Sequence, residues 1–345
     1  MRILLGPVEI AGQVALSALA IRQADGHATA YTPIHPFGYA AVPDISPPIR
    51  LNASGLPRPR WWSPVRTARL LAGHNVIHYH FGASYLGQKH GHLDARLCRK
   101  AGKRVIVQFH GSDVRRPSIE AARNPYYAAI AGESDARALS CAAVWSEITG
   151  GHCVLSDVGL DAHVADHFPH VHHVPLCVDL SRLPAPPREP DASRVPVVIH
   201  APTDVLGKGT DFVRNAVHRL TESGRTFVYT ELQGRSQRDV ARATAEADVV
   251  IDQLRSGTFG VFALEAMALG KPVISYIQPS LIGRFPPDLP IVNANPVTVE
   301  SVLADLLDDP GLRLEIGARS RAYVEREHAL STLGPRLLDI YAGLP

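Results

Sequence analysis

Short apolar runs alternate with helical patterns along most of this chain, and the alternation starts afresh after a proline-rich interruption. Strand-like runs at residues 2–5, 28–31, 76–80 and 104–110 are spaced by helical patterns at 14–22 and 93–101, with shorter strand candidates at 143–145, 153–155 and 172–174. Strands separated by helices read as crossover units and hence as a mostly parallel sheet. From Pro184 to Pro196 the sequence runs PAPPREPDASRVP, with five prolines. Proline cannot donate to a ladder and biases its predecessor away from helix, so this stretch is expected to be an extended linker. Beyond it, strands are expected at 197–200, 226–230, 249–252 and 272–277, and helices at 210–223, 236–245 and 262–269. Helical patterns at 297–307, 310–327 and 330–341 complete the series. A chain of 345 residues exceeds the range in which one core keeps growing, so two doubly wound, Rossmann-like halves are expected.

Composition narrows the function. Apolar residues make up 46% and charged residues 20%, ordinary values for a globular protein. A formal net charge of +2 offers no broad basic footprint for nucleic acid. The four cysteines (Cys98, Cys141, Cys153 and Cys177) lie far apart without a C-x-x-C pair, so neither zinc spacing nor a disulfide framework is indicated, and reduced thiols in a cytoplasmic protein are expected. The opening run MRILLGPVEIAG is broken early by Gly6 and Pro7 and reads as a first strand rather than a signal peptide. Nowhere do about 18 uncharged apolar residues run together, as a membrane span needs. Residues 57–71, PRPRWWSPVRTARLL, set Trp61 and Trp62 among four arginines. This is either a surface helix whose tryptophans pack inward or a peripheral membrane contact through Arg58–Trp62.

The densest chemistry lies in residues 247–277, ADVVIDQLRSGTFGVFALEAMALGKPVISYI. A buried strand ends at Asp252, and a glycine-bearing loop leads into a helix near Phe262. Amides at a helix N-terminus favour phosphate or another anion. Glu265, one turn in, can accept two hydroxyl hydrogen bonds, as from a ribose diol. A second loop, HAPTDVLGKGT (200–210), ends a strand at His200 and carries Lys208, one of only five lysines. In the first half, QFHGSDVR (108–115) places His110 where a strand ends, and HYHFG (78–82) does the same for His80. Ligands of open α/β sheets bind beyond such ends.

The run FGVFALEAMALGKPVI resembles the donor-site motif of retaining GT-B glycosyltransferases, particularly family 4. The resemblance implies a GT-B architecture: two Rossmann-like domains facing an interdomain cleft. It places an acceptor-side domain over residues 1–184, a linker over 185–196 and a nucleotide-sugar-binding domain over 197–327. The final helix, 328–345, would return to the first domain. Glu265 takes the place of the family's ribose-binding Glu, and Lys208 that of the lysine that neutralises the donor diphosphate, with Gly209 and Thr210 beside it. Thr258, Phe259, Gly260 and Val261 complete the donor loop. Where the family carries a second Glu against the donor sugar, this chain has Gly257. An Arg usual a few residues before the lysine is also missing, and Arg235 is the candidate substitute. QFHGSDVR resembles the family's His-Gly loop facing the transferred sugar, which implies sugar or acceptor roles for His110, Gly111, Asp113 and Arg115, with His80 alongside. Gly12 resembles the N-terminal glycine-rich loop, and VPLCVDL (174–180) the run before the interdomain linker.

The implied reaction moves a sugar from a nucleoside diphosphate sugar to an acceptor hydroxyl with retention, using neither metal nor cofactor. His110, Lys208 and Glu265 would carry it. Two other readings stay open: a non-catalytic nucleotide-sugar-binding or partner protein, motivated by Gly257 and the missing Arg, and a nucleotide-sugar epimerase.

Overall fold

The structure, a computed structural model, describes residues 1–34, 64–127, 134–183 and 194–345. Arg58–Trp62 and most of the proline-rich stretch lie outside the described residues. The chain divides into two compact units. One comprises Met1–Arg116, Ser134–Cys177 and Leu330–Pro345, the other Pro117–Glu133 and Val178–Ala329. A short segment from the first half of the sequence therefore belongs to the second unit, which the proline-marked division at 184–196 does not anticipate.

Chain order in the first unit is β1 (Arg2–Gly6), α1 (Gln13–Gln23), β2 (His27–Ala30), α2 (Pro64–Gly73), β3 (Val76–His80), α3 (Leu93–Lys100) and β4 (Arg104–Phe109). After α4 (Pro117–Arg123), which belongs to the second unit, come α5 (Ala136–Thr149), β5 (His152–Leu155), α6 (Asp161–Val164) and β6 (His170–His173). The six strands are all parallel, in the order β2-β1-β3-β4-β5-β6. Strand alternation sorts the core onto two faces. Leu4, Ile77, Tyr79, Val107 and Phe109 pack with Trp145 and Ile148 of α5 on one side. Ile3, Leu5, Val76, Ile106 and Val154 pack with α1 on the other. The expected strand at 143–145 is instead part of α5, because Ala138, Ala142, Trp145 and Ile148 recur at helical spacing and are all buried.

The second unit continues with β7 (Val197–His200), α7 (Val205–Lys208), α8 (Thr210–Glu222), β8 (Val228–Glu231), α9 (Gln237–Glu246), β9 (Val249–Ile251), α10 (Val261–Ala268), β10 (Val273–Ser275), β11 (Val292–Asn293), α11 (Val299–Asp308) and α12 (Pro310–Glu327). Its five parallel strands run β11-β10-β9-β7-β8. Val198, Val249, Ile251 and Ile274 pack under Val213 and Leu220 of α8 and Leu303 and Leu306 of α11. The last helix, α13 (Leu330–Gly343), belongs to the first unit, where Leu333, Leu337 and Tyr341 join the face that holds α1. Gly334 permits this close packing, since a Cβ there would lie 2.2 Å from the carbonyl oxygen of Ala20 in α1.

Both sheets share one winding, with the strand order reversing between the first and third strands of each unit. Crevices at such switch points, beyond the carboxyl strand ends, are where open α/β sheets bind ligands. No helix among the described residues is long and apolar enough to cross a membrane.

Candidate functional site

In the second unit the switch point lies between β7 and β9, and the loops leaving both strands carry the charged residues. Lys208 closes the short α7. Its Nζ donates to Asp252 Oδ1 at 2.6 Å and to Gln253 Oε1 at 3.0 Å. The other carboxylate oxygen, Asp252 Oδ2, accepts the Gly260 amide at 3.0 Å, directly ahead of α10. Asp252 is thus a buried strut between the lysine and the helix N-terminus. The lysine side chain keeps 16% of its surface exposed and the aspartate none. A side chain at Gly260 would begin 3.9 Å from Lys208 Nζ, so the glycine keeps the ground beside the ammonium clear. Glu265 is half-buried one turn into α10.

The remaining donor-loop residues divide by role. Thr210 is fully buried and its hydroxyl pairs with His200 Nε2 at 2.9 Å, while His200 Nδ1 meets the Ile251 carbonyl at 2.9 Å. Thr210 therefore locks α8 to the sheet rather than facing a ligand. Burial holds the His200 imidazole below its ordinary pKa. Gly209 has a left-handed φ of 70°, and a Cβ there would press on Leu254 and Arg255 at 3.2 and 3.3 Å. Thr258 is buried, with its carbonyl accepting from Gln253 Nε2. Phe259 is half-buried against Phe285 and His328, and Val261 opens α10. Arg235 lies exposed between β8 and α9.

Gly257 is closed to any side chain. Its φ is 78°, and a Cβ would stand 2.8 Å from both Asn124 Nδ2 and Gln278 Oε1. Asn124 comes directly after α4, the segment contributed by the first half of the sequence. Its Nδ2 donates to the Arg255 carbonyl at 2.8 Å, and Tyr126 stacks edge-on against Tyr276 at 5.2 Å. The carboxylate that the resemblance would place at 257 is replaced by two buried carboxamides packed against the backbone. Arg255 itself is engaged by Asp211 at 3.0 Å and the Phe212 ring at 4.7 Å.

The first unit gathers its polar residues beyond β3 and β4. His80 Nδ1 and His110 Nε2 lie 3.0 Å apart. Asp113 turns back under the loop and accepts the amides of His110 at 3.1 Å and Gly111 at 2.8 Å. Burial raises the Asp113 carboxyl to about 6 against the pull of these amides and of Arg115. Arg115 reaches Asp157 at 3.9 Å, and Gly111 adopts a φ of 142° beside its guanidinium. Beyond β1, Gly12 at φ 81° opens α1. The amides there are already occupied: Glu9 accepts from Ile10 at 3.1 Å, Val14 at 3.0 Å and Ala15 at 3.3 Å. The anion at this helix N-terminus is the chain's own carboxylate, whose pKa burial raises against these hydrogen bonds.

Sequence reasoning passed over Asp252 as a partner of Lys208, although an aspartate ending the apolar run VVID was a usable signal. Glu9 offered another, an acidic residue just ahead of a helix. Asn124 and Gln278 offered none, because only the tertiary fold brings them to Gly257. Among the described residues no cluster of three His, Cys, Asp or Glu is placed to hold a metal ion.

No family model matches the sequence. It is 26% identical to the GDP-mannose-dependent monoacylated alpha-(1-6)-phosphatidylinositol monomannoside mannosyltransferase of Corynebacterium glutamicum, over 58% of this chain and 68% of that protein. Sucrose-phosphate synthase from Thermosynechococcus elongatus matches with a TM-score of 0.65 at 15% identity, over 99% of this chain and 98% of that one. Anabaena HepE in complex with UDP-glucose matches at 0.60 and 12% identity over 100% of both chains. The fold is GT-B, and the sequence likeness is to a glycosyltransferase.

Proposed function

We propose that this chain transfers a sugar from a nucleoside diphosphate sugar to an acceptor hydroxyl, with retention at the anomeric carbon. The observation that carries this reading is the convergence of Lys208, the Gly260 amide and the start of α10 at the switch point of the second unit, with Glu265 one turn further on. An ammonium beside a helix N-terminus suits a diphosphate, and a carboxylate a turn away suits a ribose diol. Asp252 holds the ammonium in place beforehand, so charge building on the departing diphosphate meets a preorganised cation. In this reading Lys208 stabilises the leaving group, Glu265 anchors the ribose, and His110 addresses the transferred sugar. The Corynebacterium relative is named for GDP-mannose and HepE was solved with UDP-glucose, so both donors belong in the first trial. Retention rests on the motif around Glu265.

A second reading, nucleotide-sugar binding without turnover, draws on Gly257, where the fold admits no carboxylate. Release of nucleoside diphosphate from GDP-mannose, UDP-glucose and related donors, with and without sugar acceptors, separates the two. Acceptor-dependent release that vanishes in Lys208→Met supports transfer. Binding without release from any donor supports the second reading. Product formed from donor alone, with the sugar altered, would point to an epimerase instead.

A further inference from the structure

The first unit carries a concentration of positive charge that the proposed reaction does not use. Residues 89–104, KHGHLDARLCRKAGKR, span α3 and its flanks. They hold six basic residues, among them three of the chain's five lysines, against one acidic residue, Asp94. The whole chain is only +2, so the rest of it taken together is net negative. Asp94 does not balance the surplus at the surface, because it is buried and turned inward. It accepts hydrogen bonds from the Tyr79 and Ser84 hydroxyls at 3.1 and 2.7 Å and from the Tyr85 and Leu86 amides at 2.9 and 3.3 Å. Lys103 donates to the carbonyls of Ala72 and His74, which orient its ammonium without cancelling its charge. Arg96 is held bidentately by Glu147 of α5, which offsets one charge of the surplus.

Helical spacing sorts α3 into two faces. Asp94, Ala95 and Cys98 are buried in the unit. Leu93, Arg96, Leu97 and Lys100 recur at the three- and four-residue spacing of the opposite face. The outward face of a surface helix is ordinarily polar. Here Leu93 is 47% exposed and Leu97 54%. Among the described residues they are the only exposed large apolar pair one helical turn apart. Lys89 and Lys100, both exposed, flank them in sequence. Single exposed apolar side chains are common on folded proteins. A leucine pair set among cations suits a partner that is apolar and anionic at once.

We propose that the outward face of α3 docks on the surface of an anionic phospholipid bilayer. The leucines enter the boundary between headgroups and acyl chains. Lys89 and Lys100 keep their ammonium groups at the lipid phosphates while their alkyl stems lie against apolar surface. Charge complementarity and residue type both select this occupant. Lysine is depleted from the cores of protein–protein interfaces, whereas at a bilayer its flexible stem leaves the charge in the headgroup layer. The contact needs no substrate, so it stands or falls separately from sugar transfer.

Flotation of the full chain with phosphatidylcholine vesicles, with and without phosphatidylglycerol, tests the contact in the absence of any nucleotide sugar. The chain should float with the anionic vesicles, stay behind with the neutral ones and be released by high salt. Lys89→Gln combined with Lys100→Gln should lower the partition coefficient about thirtyfold, from about fivefold for each basic residue near an anionic surface. Leu93→Gln combined with Leu97→Gln should lower it about tenfold through lost apolar burial. All four side chains are exposed, so the circular dichroism spectrum and thermal midpoint should match the wild type. Arg238→Gln combined with Arg242→Gln removes two exposed cations from α9 and should bind like the wild type. Equal recovery on neutral and anionic vesicles, or none on either, overturns the proposal. So does a leucine variant that binds undiminished, or an α9 variant that loses as much as the lysine variant. Salt-sensitive retention on polyaspartate, lost in the lysine variant and kept in the leucine variant, with no vesicle binding, overturns it in favour of an acidic protein partner.

Discussion

Replacing Gly257 by alanine tests the closed donor loop, and the structure sets the size of the effect. A residue with a Cβ at φ 78° carries a left-handed penalty of about 1–2 kcal/mol. The new methyl would also stand 2.8 Å from Asn124 Nδ2 and from Gln278 Oε1. Neither carboxamide can easily retreat. Asn124 is 0% exposed and tied to the Arg255 carbonyl, and Gln278 is 1% exposed, its backbone N–H donating to the Gly257 carbonyl at 2.9 Å. Overpacking of this kind adds about 1–3 kcal/mol. The sum, roughly 2–5 kcal/mol, is a large share of the stability of an ordinary domain. Urea denaturation monitored by circular dichroism should show a clearly lowered midpoint for Gly257→Ala. Gly257→Glu, which reinstates the side chain that the resemblance would place there, should lose at least as much stability without gaining donor affinity. An unchanged midpoint for the alanine variant, or faster turnover in a stable glutamate variant, would refute the reasoning.

Lys208→Met should destabilise the protein by about 3 kcal/mol, the lower end for breaking a buried ion pair because the lysine keeps 16% exposure. Adding Asp252→Asn should recover more than half of that loss in chemical denaturation, and equal losses in the two variants would speak against the strut. Asp113, at about 6 against an ordinary 3.8, binds its proton more tightly when folded. Its contribution is therefore fully present below about pH 4 and is lost as pH rises through 6, about 3 kcal/mol in all. Asp113→Asn should flatten that part of the stability–pH curve, and an unaltered slope would place the titration elsewhere. Glu265→Ala should leave the melting temperature near wild type while weakening nucleotide binding by about tenfold or more, the worth of one charge-assisted hydrogen bond. Unchanged affinity in calorimetry would remove Glu265 from the site.

Physical periodicity governed how much of the fold the sequence disclosed. Val76–His80, Val197–His200 and Pro310–Glu327 begin and end where apolar patterning and flanking turns put them. The segment at 143–145 misled because three apolar residues in a row look the same in a buried strand and in a helix; the helical spacing of Ala138, Ala142, Trp145 and Ile148 carries the answer. β11, two residues long, is too short to leave a pattern. At the site, polar residues such as Lys208 and His110 were visible because the loops leaving the carboxyl ends of parallel strands are where such sheets present polar side chains. Their partners were not. Asp252 meets Lys208 across 44 positions and Asn124 meets Arg255 across 131, distances over which no local rule operates.

Direct binding of nucleoside diphosphate sugars addresses the central claim most squarely. Isothermal calorimetry with GDP-mannose, UDP-glucose, GDP and UDP should give saturable binding for one nucleotide pair, weakened in Lys208→Met and in Glu265→Ala. Absence of binding by the folded wild-type protein to any nucleotide sugar in a wider panel, or binding that both variants leave untouched, would contradict the assignment of the second unit's switch point as a donor site.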